Sequence, residues 1–141
     1  AGEPLLTVHG AITNVGADDT AQFDLDLLTA LPSVSFETST IWTEGVQVFR
    51  GVPLDVLLDH VGATGDTLQL RALNDYRITI PASDAREGGP IIAYEQNGSQ
   101  MSVRNKGPLW LVYPYDSVTA YQTEEIYARS IWQLIEIEVL P

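Results

Sequence analysis

The sequence predicts one mostly-β α+β domain over residues 1–141, and three observations carry that prediction. Apolar and polar residues alternate in short runs along most of the chain, the period of half-buried strands. One stretch only, near 53–61, carries a clear helical stripe. The chain is 45% apolar over 141 residues, and a chain of that size buries roughly two-thirds of its unfolded surface, enough for a core.

Residues 5–12, LLTVHGAI, form an opening strand that ends at the polar run Thr13 to Gln22. LDLLTALP then sets Leu25, Leu28 and Leu31 at threefold spacing, a helical turn or two stopped by Pro32. SVSFETST alternates Val34 and Phe36 with polar residues, as a strand does. Behind Pro53, Leu54, Leu57, Leu58 and Val61 fall at i, i+3, i+4 and i+7, with Gly62 as the stop.

TLQLRALNDYRITIP, residues 67–81, gives two strands around the turn-like Asn74-Asp75-Tyr76. Asn97-Gly98 favours the positive φ of a tight hairpin. LWLVY, residues 109–113, lacks polar alternation and predicts a strand buried on both faces. LIEIEVL places Ile135, Ile137 and Val139 inward, Glu136 and Glu138 outward.

Nineteen acids against seven Lys plus Arg leave a formal net charge of −12. Nucleic acid is therefore an unfavourable partner, because its binding rests on cations displacing counterions from phosphates. No apolar run nears the roughly 20 residues needed to cross a bilayer, so the chain is not expected to be membrane-embedded. The sequence opens Ala1-Gly2-Glu3-Pro4 and its one methionine is Met101, which fits removal of a signal peptide after a small residue and hence an exported, periplasmic location.

Catalytic templates are missing. There is no phosphate-cradling or dinucleotide glycine pattern and no Gly-x-Ser-x-Gly. With no cysteine, disulfides, thiolate metal sites and cysteine nucleophiles are excluded. His9 and His60 have no ligand-type neighbour at i+2 or i+4, so they make no metal site. Asp18-Asp19 and Glu124-Glu125 sit in polar stretches and read as solvated loops.

Four segments in order, FRGVPLDVLLDHVG, LNDYRITIPASDA, IIAYEQNGSQMSVRNKGPLWLVYPYD and IWQLIEIEVL, resemble the molybdopterin-binding domain of the sulfite oxidase family over about residues 30–140. The resemblance implies a mixed-sheet, largely β fold. It also implies a molybdenum site on a cysteine in the loop before the Gly-x-Pro-Leu helix. Here that loop is TSTIWTEG, with Thr38, Ser39 and Thr40 in place of a thiolate, and a neutral hydroxyl is a weak donor to a thiophilic metal. The enzymes tend to carry a basic residue after Gly-Pro-Leu and a lysine before the final tryptophan. This chain has Trp110 and Ile131 there.

These departures favour a reduced, unphosphorylated pterin over molybdopterin as ligand. Aromatic rings would cover its faces, a carboxylate its amino edge, and amide or guanidinium donors its carbonyl edge. Trp42 is the first stacking candidate, with Tyr76 and Trp132 behind it. Asp75 or Glu44 would take the amino edge, and Asn74, Arg104, Lys106 and Arg129 would donate. Each has a plainer reading: Asn74-Asp75-Tyr76 as turn chemistry, Lys106 as a solvated side chain, Trp110 as core, and Trp132 as core or stacking residue equally. Trp42 leans to function because its sequence neighbours are polar.

The resemblance further implies a role as a periplasmic pterin sensor or accessory protein paired with a membrane cyclic-di-GMP signalling enzyme, with no catalytic residues of its own. The alternative is a molybdopterin-dependent oxidoreductase whose metal site lacks cysteine. A third possibility is a protein interaction module with an empty site.

Overall fold

The computed structural model describes residues 5–13, 20–86, 89–101, 107, 109–117 and 121–140. The C-terminal strand β10 (Leu134–Leu140) lies at the centre of a five-stranded sheet, parallel to β1 (Leu6–Gly10) and antiparallel to β5 (Thr67–Ala72). β2 (Ala21–Phe23) extends that sheet beyond β1, and β6 (Arg77–Pro81) extends it beyond β5. The sheet is therefore mixed, and its edges are antiparallel hairpin partners.

The second sheet is antiparallel, in the order β3 (Val34–Ser39), β4 (Val46–Pro53), β7 (Ile91–Gln96) and β8 (Ser99–Gln100), with β9 (Trp110–Val112) also paired to β7. β7 and β8 join through Asn97 and Gly98 at φ 54° and 83°, the tight turn the dipeptide predicts. β5 and β6 join through Asn74-Asp75-Tyr76, with Asp75 at φ 70°.

Gly51, beside a register shift in β4, is a residue no side chain can replace. A Cβ there would lie 2.0 Å from the Ile92 carbonyl oxygen. The bare backbone lets β4 and β7 approach and pair.

Helix α2 (Leu54–Val61) buries Leu54, Leu57, Leu58 and Val61 and ends on Gly62 at φ 67°, the left-handed cap that its glycine stop signals. Its apolar stripe joins Leu6, Val8, Leu70 and Ile137 of the first sheet and Phe49, Val52 and Ile92 of the second in one contiguous core. Leu109 to Tyr113 are all fully buried, as the unbroken apolar run predicts. Each such large side chain contributes roughly 1.5–3 kcal/mol of burial.

Three sequence expectations need correction. Helix α1 (Leu25–Ala30) forms with Asp24 as its N-cap, but only Leu28 of the leucine triad is fully buried. Val34, Phe36 and Thr38 share one face of β3, but Val34 is 44% exposed at the sheet edge and Phe36 only half-buried, so the fully buried residue on that face is the polar Thr38. In β10 a bulge between Leu134 and Glu136 turns Leu134 inward and leaves Ile135 half-buried.

A third helix, α3 (Glu124–Arg129), replaces the loop expected at Glu124-Glu125. Thr123 caps it by accepting the Ile126 N–H at 3.3 Å, and both acids occupy the first turn, where the helix dipole favours them. The Asp18-Asp19 pair lies outside the described residues.

The sheets meet at a seam. Trp110 and Trp132 form an isolated antiparallel bridge, flanked by Leu111 N–H to Ile131 O at 2.9 Å and Leu134 N–H to Leu109 O at 2.9 Å. This stitch ties β9 of one sheet to the segment that leads into β10 of the other.

Candidate functional site

The seam holds a cavity of about 330 Å³, near the lower end of ordinary ligand pockets. Its walls come from three places. The β3–β4 loop supplies Trp42, the β5–β6 turn supplies Asn74 and Tyr76, and α3 with the segment after it supplies Tyr127, Ser130 and Trp132. Only the fold brings these together.

Trp42 is the hub. Its ring lies edge-on to Trp132 at 5.5 Å, Trp110 at 5.8 Å, Tyr127 at 5.9 Å and Tyr115 at 6.3 Å between centroids. These are the preferred T-shaped separations. Behind this wall Trp110 is fully buried and donates its indole N–H to the Ser130 carbonyl at 3.2 Å, so it belongs to the core. Ser130 is buried too, and its hydroxyl accepts from Tyr115 and donates to Ile126 O at 2.9 Å.

The hydroxyl-rich loop is committed to holding itself. Thr38, fully buried, accepts from Asp116 N–H at 3.0 Å and donates to Ser39 O at 3.1 Å. Ser39 donates its hydroxyl and its backbone N–H to the two carboxylate oxygens of Asp116, at 2.7 and 2.8 Å. Those two bonds hold the Asp116 carboxyl below its usual range. Thr40 and Thr43 share a hydroxyl hydrogen bond at 2.8 Å, and Thr40 also accepts Trp42 N–H at 3.1 Å, fixing the turn that presents the indole.

The donor set therefore does not fit molybdenum. The chain has no thiolate to offer, and the hydroxyls of Thr38, Ser39 and Thr40 are spent on Asp116, on Thr43 and on their own backbone. No cluster of three metal-ligating side chains occurs among the described residues.

Of the other candidates, Trp42, Asn74, Tyr76 and Trp132 line the cavity. Asn74 Oδ1 accepts from Tyr76 N–H at 3.2 Å, which leaves its NH₂ facing no partner among the described residues. Neither acid proposed for the amino edge lines it. The Asp75 carboxylate, 70% exposed, pairs with Arg71 and Arg77 at 3.5 Å, and Glu44 is exposed in the loop. Arg129 is also elsewhere: its guanidinium bonds Asp84 at 2.8 Å and Glu125 at 2.6 Å. Arg104 and Lys106 lie outside the described residues.

Beneath the Arg129 pair, Asp84 Oδ2 also accepts from Tyr113 at 2.8 Å. Burial lowers the Arg129 pKa, but the hydrogen bond and charge of Asp84 outweigh it and hold the guanidinium above its ordinary value. Burial first, then the charge of Asp84, pushes the Tyr113 hydroxyl well above the usual phenol range. The pair supports α3 and through it one wall of the cavity.

Sequence reasoning missed Tyr127 and Ser130. Both sit on or just after α3, and the signal for that helix was present as Thr123 followed by two acids.

A sequence model for the family described as "Oxidoreductase molybdopterin binding domain" matches residues 6–121. The match takes in the opening strand, which the resemblance above left out, and stops short of IWQLIEIEVL. Comparison with curated proteins finds no match. Among solved structures, the sulfane dehydrogenase SoxCD from Paracoccus pantotrophus is similar, with a TM-score of 0.72 and 17% identity over 96% of this chain. The chain spans 37% of that protein's length, and identity this low speaks to the fold alone. With most of its length matched by that model, the chain belongs to the oxidoreductase molybdopterin-binding domain family.

Proposed function

We propose that this domain binds a reduced, unphosphorylated pterin without molybdenum, and that it acts as an exported sensory or accessory protein through a membrane signalling partner. The observation that carries the reading is the pairing of an aromatic-walled cavity with a loop whose hydroxyls are already spent. Trp42, Tyr76, Tyr127 and Trp132 offer ring surface, and Asn74 offers an amide donor to a carbonyl edge. Each ring contact is worth about 0.5–1.5 kcal/mol beyond its area, so two stacks and one or two hydrogen bonds support binding in about the micromolar range. A partner would sense the loaded state through its different affinity for the two forms.

The family match favours a second reading, a molybdopterin-dependent oxidoreductase with a metal site lacking cysteine. Mass spectrometry and elemental analysis of protein purified gently from its native host separate the two. A bound pterin without molybdenum supports the proposal, and stoichiometric molybdenum rejects it.

A further inference from the structure

Asn97 is the one asparagine of the chain that is followed by glycine. That pair is chemically labile, because no side chain on the second residue obstructs its backbone nitrogen from attacking the asparagine Cγ. A Cβ on Gly98 would meet nothing within 4 Å, and both turn residues are exposed, so water and base reach the bond. The folded hairpin nevertheless restrains the carboxamide. Asn97 Oδ1 accepts Val48 N–H at 2.8 Å, its Nδ2 donates to Gln47 Oε1 at 2.6 Å, and its backbone N–H donates to Val48 O at 2.7 Å. These bonds hold the side chain against β4 while Asn97 sits at φ 54° in the tight turn.

We propose that Asn97 is a deamidation site gated by the β7–β8 hairpin, and that its conversion loosens the loop that carries Trp42. The Gly98 nitrogen bonds to Cγ, the Cγ–Nδ2 bond breaks, and ammonia leaves with the Gly98 amide proton. Water then opens the cyclic imide at either carbonyl, giving aspartate or isoaspartate. The gate is the pair of side-chain bonds to β4, which must give way before the Gly98 nitrogen reaches Cγ. The link to the loop runs through Gln47. Its Oε1 accepts from Asn97 and from Gln96 Nε2 at 3.1 Å, and its Nε2 donates to Glu44 O at 2.7 Å, two residues beyond Trp42. An ionised carboxylate has no proton to donate, so at this position it would face Gln47 Oε1 oxygen to oxygen. Turning the Gln47 amide to meet it withdraws Nε2 from Glu44, so one bond of the chain is lost either way. Isoaspartate also lengthens the main chain by a methylene, which a two-residue turn does not accommodate. This chemistry belongs to the chain itself and is independent of the proposed pterin site.

The test incubates the whole chain in mildly alkaline buffer, folded and unfolded in urea, and follows Asn97 by intact mass and peptide mapping. We expect conversion to be about tenfold or more slower in the folded chain, since two hydrogen bonds must open first. Gln47→Ala, which removes the Nδ2 partner, raises the folded rate while leaving the unfolded rate unchanged. In the converted protein and in Asn97→Asp, amide hydrogen exchange is expected to quicken from Glu44 to Val48 and to stay as in the parent along α2. Equal rates in the folded and unfolded chains, or a folded rate unmoved by Gln47→Ala, overturns the gate. Parent-like exchange from Glu44 to Val48 in Asn97→Asp overturns the link to the loop.

Discussion

Trp42 meets Trp132 edge to face, with ring centroids 5.5 Å apart and planes inclined at 76°, although the two residues sit on segments far apart in the chain. The contact closes one wall of the seam cavity and couples the β3–β4 loop to the entry of β10. Trp42→Ala removes this contact and three other aromatic edges. It is expected to lower stability by about 2–4 kcal/mol in urea denaturation, with most of the loss recovered by Trp42→Phe. Equal stability of the Ala variant and the parent would show that the loop does not depend on its indole.

Asp116 ionises below its unfolded value because Ser39 donates to both of its oxygens. A carboxyl depressed in the folded state contributes stability that is present above its unfolded pKa, about 3.9, and is lost as pH falls through the lower folded value. The β3–β4 loop is therefore expected to loosen below about pH 4, read as a change in tryptophan emission before global unfolding. Asp116→Asn should remove that acid step at a modest cost, on the order of 1 kcal/mol since the group is exposed.

The Asp84–Arg129 pair is largely sheltered, at 18% and 17% side-chain exposure. Removing one partner of such a pair leaves the other charge unmatched, so Arg129→Met should cost about 2–4 kcal/mol. Tyr113→Phe, which deletes only one hydrogen bond to Asp84, should cost about 1 kcal/mol. Denaturant titration of the two variants checks the order. A larger loss for Tyr113→Phe would contradict the assignment of Arg129 as the principal support of α3.

Gly51→Ala should prevent folding or cost more than about 3 kcal/mol, because its Cβ would strike the Ile92 backbone at 2.0 Å. Circular dichroism of the expressed variant decides it. A native-like spectrum and midpoint would mean that β4 and β7 separate more readily than their pairing implies.

Much of the fold was legible because it follows local periodicity. The stripe of α2, its Gly62 stop, the Asn97-Gly98 hairpin and the buried run at 109–113 all depend on neighbours in sequence. The failures arise where tertiary context decides. Ile137 and Val139 point inward as expected, but the bulge at Ile135 puts Leu134 inward in its place, and no local signal marks it. Val34 is exposed because its strand lies at the sheet edge, a matter of strand order that alternation cannot report.

The site was half legible for the same reason. Trp42 looked isolated among polar residues, yet its aromatic company comes from Trp110, Tyr115, Tyr127 and Trp132. The hydroxyls around it suggested a lined site, and they turn out to secure the loop to Asp116. Asp75 looked free to meet a ligand, but the strands flanking its turn place Arg71 and Arg77 beside it. Residue type was visible in each case, and the partner was not.

Isothermal titration of the purified chain with a tetrahydropterin, beside its Trp132→Leu variant, decides whether the seam cavity holds a pterin. Saturable one-to-one binding in about the micromolar range is expected for the parent, weakened about tenfold or more in the variant. No heat of binding to the parent, or the same affinity in both proteins, would contradict it.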